Sequence, residues 1–173
     1  YIILGATHPA EKKKYAENYR ITLHQLARER GVTDHIIFHN RFVELDELCK
    51  FLGAADIYVT PYLGESQIVS GTLAYALGTG KATVSTPYLY ARDMLKEDRG
   101  RIVPFKNPEA LVSEIVDLFN NETERHAMRK RAYLYCREMI WKEVARKYLD
   151  VFHKVKKDCL QIPRSQTISC RRS

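Results

Sequence analysis

The chain predicts an α/β fold built on a parallel sheet, and three observations carry that prediction. Apolar runs of strand length alternate with helix-length segments from the first residue to about position 103. Glycine or proline stands where several elements should stop, at Gly31, Pro61, Gly80 and Pro87. Every pair of successive strands is separated by a helical segment, the crossover that parallel strands require.

The elements follow in order. Tyr1 to Leu4 is a short buried run closed by Gly5. A helix is expected over residues 9–30, with Tyr15, Tyr19, Leu23 and Leu26 on one face and Gly31 as its stop. Ile36, Ile37 and Phe38 centre a second strand over residues 35–39. A short helix covers 44–53. The third strand, 56–60, is stopped by Pro61, and a helix over 69–79 is stopped by Gly80. The fourth strand, 82–85, is closed by Pro87. A helix follows over 88–97, then a short fifth strand over 101–103. Past that point the alternation ends. Helices are expected over 108–120, with Leu111, Ile115 and Leu118 facing inward, over 121–139, and over residues 141 to about 156, with Val144, Tyr148, Val151 and Phe152 on its apolar side. Right-handed crossovers turn such a chain into a doubly wound, Rossmann-like sheet with a helical C-terminus. The domain reading is one Rossmann-like domain over 1–156 and a disordered basic tail over 157–173.

Composition narrows the function. Hydrophobic residues make up 45% and charged residues 28% of the chain, the balance of a soluble globular protein. No apolar run approaches the ~20 residues that span a bilayer. Four cysteines without metal-ligand spacing argue against a disulfide framework, and a reducing, cytoplasmic setting is expected. The net charge of +7 favours anionic partners such as nucleotide phosphates or an anionic membrane surface, although basic runs are also solvated helix faces. No nucleic-acid module accompanies the charge, so no nucleic-acid partner is expected. The chain opens inside a strand and without Met, which suggests that it is cut from a longer protein.

Ligands of an open parallel sheet bind beyond the carboxyl ends of its strands. Four loops occupy that edge: residues 5–8, 40–43, 61–70 and 86–88. The third is the most informative. It leads straight into a helix whose first N–H groups, at Ser70, Gly71 and Thr72, would face outward at the positive pole of the helix dipole. That end suits a diphosphate, and Gly71 allows close approach of a ligand. Ser70 is equally suited to cap the helix with no ligand present. Arg41 and Phe42 follow the second strand at this edge, where Phe42 reads as core packing against the 44–53 helix as readily as a ligand contact. Lys81, just past a helix end, suits the negative pole of that dipole.

Three stretches, Ala54-Ala-Asp-Ile-Tyr-Val-Thr-Pro61, Ala76-Leu-Gly-Thr-Gly80-Lys-Ala-Thr-Val-Ser85 and Gly100-Arg-Ile-Val-Pro104, resemble the group 1 (family 4) glycosyltransferases, a bacterial-type subgroup above all. The resemblance covers about residues 1 to 153. It implies the C-terminal, donor-binding domain of the GT-B fold and retaining transfer of a sugar from a nucleotide-sugar donor. No cofactor and no obligatory metal are implied. A carbohydrate or lipid-linked acceptor would be held by an N-terminal domain outside this chain, with scope for peripheral contact at a membrane surface. The family's two glutamates, one facing the donor sugar and one the ribose, align with Gln67 and Tyr75, neither of them a carboxylate. Glu65 stands close enough to substitute for the first. The expected site is therefore Gln67 and Glu65 for catalysis, with Arg41, Phe42, Ser70, Gly71, Thr72 and Tyr75 for the donor, and no metal ligand. A relative that only binds a nucleotide or a partner is the alternative. The family's first strand and its basic loop have no counterpart here, so the isolated segment is expected to be inactive. The missing strand would also leave two apolar sheet edges exposed unless residues 1–4 pair with 56–60.

Overall fold

The computed structural model describes residues 1–7 and 17–161. The start of the first expected helix, the loop residue His8 and the last part of the expected tail lie outside them. The chain forms two compact units, Tyr1–Phe51 and the residues from Leu52 onward.

In the first unit β1 (Ile2–Leu4) pairs in parallel with β2 (Ile37–His39), with Ile3 opposite Phe38. Between them lie α1 (Asn18–Glu29) and a turn of 3-10 helix, Thr33–His35. The inward face of α1 differs from the expected one. Ala27 is its buried residue, with Arg20, Leu23 and His24 half-buried, while Tyr19 and Leu26 are exposed. His24 stacks on Phe38 at 3.9 Å, and Arg20 donates to the Thr7 hydroxyl at 3.1 Å. Polar side chains with partners thus occupy the positions that an apolar periodicity assigns to tyrosine and leucine. α2 (Leu45–Ala54) follows β2.

The second unit holds the larger core. β3 (Ile57–Thr60), β4 (Ala82–Ser85) and β5 (Arg101–Ile102) pair in parallel in that order. β4 is central and buried throughout, and its alternation separates two faces. Ala82 and Val84 pack with Val103, Leu118 and Met128. A second cluster joins Leu73, Leu77, Tyr88, Ala91, Met94, Leu95, Ala132 and Cys136. These residues come from α3 (Gly71–Gly78), α4 (Leu89–Met94), α5 (Pro108–Asn120) and α6 (Glu122–Arg137). Each fully buried leucine among them contributes roughly 1.5–3 kcal/mol of transfer free energy. The strand pairs of the described residues lie within the units, β1 with β2 in the first and β3, β4 and β5 in the second.

Three ends are fixed by specific residues. Gly80 takes a left-handed φ of 68° after α3, and the next N–H, of Lys81, bonds Ala76 O at 3.0 Å. Lys81 itself is buried. Its ammonium donates to Gly53 O at 2.7 Å and Ala55 O at 3.0 Å, so it serves the end of α2 rather than the helix that precedes it. Burial pushes its pKa down, and nearby Arg129 adds to that. After α4, the buried Arg99 donates to Met94 O and Asp93 O and lies 3.8 Å over the Tyr135 ring. A Cβ on the adjacent Gly100 would stand 2.5 Å from Leu95 Cδ2, so a side chain there would displace the buried Leu95.

α7 (Trp141–Gln161) runs five residues past its expected end at about 156, into the expected tail. Its apolar residues Tyr148, Val151 and Phe152 are exposed. No helix among the described residues is long and apolar enough to cross a membrane.

Candidate functional site

The carboxyl ends of β3, β4 and β5 converge on a cavity of about 200 Å³, lined by Pro61, Leu63, Thr86, Val103, Lys106 and Leu111 among others. Each of the first four comes from the residues just past a strand. The cavity therefore lies on the edge where a parallel sheet offers ligand sites. Its walls are mainly apolar, and Lys106 is held in a left-handed conformation at φ 55°.

Beside this edge, residues 61–70 cross from β3 to α3. Ser70 is the N-cap of α3. It is extended (φ −148°, ψ 101°) and buried, and its hydroxyl accepts from Leu73 N at 3.3 Å. The side chain thus performs the capping role that its position allows. The N–H groups of Gly71 and Thr72 have no acceptor among the described residues, as expected for an uncovered first turn. Thr72 is braced from beneath: Tyr58 OH donates to its hydroxyl at 2.9 Å. Burial pushes the Tyr58 phenol up to about 12, partly opposed by the hydrogen bond to Thr72. Tyr75 lies one turn along α3, beside Gly71. A Cβ placed on Gly71 would stand 3.8 Å from Tyr75 Cε2. The Tyr75 ring is 42% exposed.

The two candidate catalytic residues are less free. Gln67 folds its amide back onto Val69 O at 3.0 Å, and its own carbonyl accepts from Tyr90 N at 3.1 Å. Glu65 pairs with Arg92, Oε1 to Nη2 at 2.7 Å, and its carbonyl accepts from Leu89 N at 3.0 Å. Leu89 and Tyr90 open α4, so the loop carbonyls occupy the N–H groups of that helix start.

Arg41 and Phe42 follow β2 in the first unit. Arg41 forms a two-pronged pair with Glu47, and that hydrogen bond raises its pKa while lowering that of the carboxyl. Phe42 is 76% exposed, which excludes the reading that it packs as core against α2.

The structure therefore brings Ser70, Gly71, Thr72 and Tyr75 together on one helix start, with Gln67 and Glu65 on the loop before it. Sequence reasoning singled out neither Arg92 nor Thr86. Thr86 is buried, and its hydroxyl donates to Tyr62 O at 2.5 Å. Its place directly after a strand was the available signal. Arg92 carried none, because its partner is distant in sequence.

A family model described as glycosyl transferases, group 1, matches residues 3–121. No curated protein sequence matches the chain. Among solved structures, sucrose-phosphate synthase from Thermosynechococcus elongatus superposes with a TM-score of 0.73 at 15% identity, covering 91% of this chain and 38% of its own. HepE of Anabaena, solved with UDP, superposes at 0.72 and 14% identity, covering 86% of this chain and 40% of its own. It was also solved with UDP-glucose. The C-terminal domain of a group 1 glycosyl transferase family protein, LpcC, from Francisella tularensis gives 0.64 at 17% identity, covering 76% of this chain and 65% of its own. The chain thus spans about two fifths of the length of the first two structures.

Proposed function

The chain belongs to the group 1 glycosyl transferases, and from that membership we propose that it is the donor-binding part of an enzyme that moves a sugar from a nucleotide-sugar to a carbohydrate or lipid-linked acceptor. Its fold is the Rossmann-like C-terminal domain of the GT-B architecture. The observation that carries the proposal is the uncovered start of α3, at the carboxyl edge of the sheet, with the Gly71 and Thr72 N–H groups unspent.

A departing nucleoside diphosphate gains negative charge as the glycosidic bond breaks. Fixed N–H dipoles aimed at that charge lower the barrier, because they need not reorient during the step. The positive pole of α3 adds to them. Gly71 lets the phosphate approach the backbone, since glycine carries no side chain of its own. Gln67 hydrogen-bonds the sugar hydroxyls in place of a carboxylate, and Tyr75 offers its phenol at the ribose. Arg41 and Phe42 supply the contact to the base. In this reading the transfer is retaining and uses neither cofactor nor metal. The acceptor is bound by a separate N-terminal domain, and the reaction takes place in the cytoplasm, at the membrane surface when the acceptor is lipid-linked. This chain by itself binds the donor without turning it over. The HepE complexes with UDP and UDP-glucose support a uridine-diphosphate donor.

Titration calorimetry with UDP, GDP and ADP tests the proposal. Saturable binding of at least one of them is expected, and silence toward all three would sink it. One observation favours a second reading, in which the protein binds nucleotide without transfer. The two positions where the resemblance expects glutamate hold Gln67 and Tyr75, and the nearby Glu65 is paired with Arg92. Transfer assayed in the complete protein separates the two. Turnover lost on Gln67→Ala supports the enzyme, and nucleotide binding with no turnover in the unaltered protein supports the second reading.

A further inference from the structure

Residues 61–66 are exposed and contribute nothing to either core cluster of their unit. A loop without packing of its own fluctuates unless something else orders it. Within the loop, Gln67 N donates to Gly64 O at 3.4 Å and Gln67 Nε2 to Val69 O at 3.0 Å, and the ties from outside come from residues 86–92. Thr86 Oγ1 donates to Tyr62 O at 2.5 Å, Leu89 N to Glu65 O at 3.0 Å, Tyr90 N to Gln67 O at 3.1 Å, and Arg92 Nη2 to Glu65 Oε1 at 2.7 Å. The rings of Tyr62 and Tyr88 add a contact at 5.2 Å. Four hydrogen bonds and one ring contact thus reach positions 62, 65 and 67 from residues 86–92. Thr86 is itself fixed, its carbonyl accepting from Ser85 Oγ at 2.9 Å and from Tyr88 N at 3.0 Å.

We propose that Thr86 and Arg92 are positioning residues that, with the first turn of α4, clamp the loop 61–70 in one shape before a ligand arrives. The clamp sets where Gln67 stands relative to the open start of α3. It also makes Glu65 an anchor, its carboxylate held by Arg92 and turned to no other task. Preformed order of this kind favours binding by removing the cost of ordering the loop at that moment. The ligand in the proposal rests on the nucleotide-sugar reading, whereas the clamp rests on geometry alone.

The test uses the whole chain with two readouts, amide hydrogen exchange and calorimetry with UDP. Thr86→Val keeps the shape and removes the donor. It should speed exchange at the Leu89 and Tyr90 amides by about tenfold, the size of one lost buried hydrogen bond, and weaken UDP by about as much. Arg92→Glu, at the surface and harmless to the core, should give about a threefold version of both effects, and adding Glu65→Arg should restore both. Unchanged exchange at Leu89 and Tyr90 in both single variants would overturn the clamp. So would exchange that rises equally through β4 and α6, or a double variant that rescues nothing. If the unaltered chain ignores UDP, the nucleotide reading fails, and the exchange pattern still decides the clamp.

Discussion

α3 and α4 each follow a strand of the second unit, α3 after the loop 61–70 and α4 after residues 86–88, yet their first turns are in opposite states. At α4 the N–H groups of Leu89 and Tyr90 are filled by carbonyls of the loop before α3. At α3 the Ser70 cap takes Leu73 N, and the Gly71 and Thr72 groups have no acceptor among the described residues. The cap residues account for the difference. Serine satisfies its own helix and leaves the outer groups alone. Tyr88 at the corresponding place in α4 makes no side-chain cap bond, so that helix start draws on a neighbouring loop. One start is thereby a joint, and the other stays open, as the proposed anion site requires. The joint holds in place the segment that leads into the open start.

The comparison breaks most sharply if the open start is filled. Gly71→Asp puts a carboxylate at the free N–H groups with room for its Cβ. UDP affinity should fall by about a hundredfold through like-charge opposition, while stability changes by less than about 1 kcal/mol, since an acid suits a helix start. Calorimetry beside thermal melting reads both, and intact UDP binding would move the anion site elsewhere.

A middle-sized effect concerns the brace beneath that start. Tyr58 is raised to about 12 in the folded chain, above the ordinary phenol value of 10.0. The neutral phenol is the favoured folded form, so its contribution is complete below about pH 10 and is lost as pH climbs toward about 12. The unaltered chain should lose roughly 2 kcal/mol more than Tyr58→Phe across that window. Equal alkaline slopes in denaturant titrations of the two proteins would free Tyr58 of this role.

The smallest effect sharpens the closed side. Leu89→Pro deletes the donor to Glu65 O at a first helical position, where proline is at home. The ψ of 156° at Tyr88 suits a residue preceding proline. A cost of about 1 kcal/mol is expected from chemical denaturation, and no cost would mean that this tie contributes nothing.

Much of this was legible beforehand. The order of strands and helices follows from periodicity and stops, and Ser70 announced itself as a cap by type and place. The carboxyl edge follows from parallel topology. What could not be read was which polar groups are already spent. Glu65 and Arg92 lie 27 positions apart, and no spacing rule joins them. The Lys81 ammonium reaches carbonyls 26 and 28 positions back, so its local context pointed to the wrong helix. The face of α1 was misjudged because aromatic periodicity outweighed Arg20 and His24, whose partners come from elsewhere in the chain. Local patterns report what a residue prefers, whereas long-range polar contacts depend on where folding brings it.

The turn between α4 and β5 has a consequence for descent. Arg99 is committed to Asp93, Met94 and Tyr135, and a side chain at Gly100 would push Leu95 out of its place. Substitution in that turn disturbs packing, whereas the loops at the carboxyl ends of the strands, where the cavity opens, form the ligand-facing edge. A lineage can therefore change what it recognises by altering those loops, and leave the turn that secures the sheet as it was inherited.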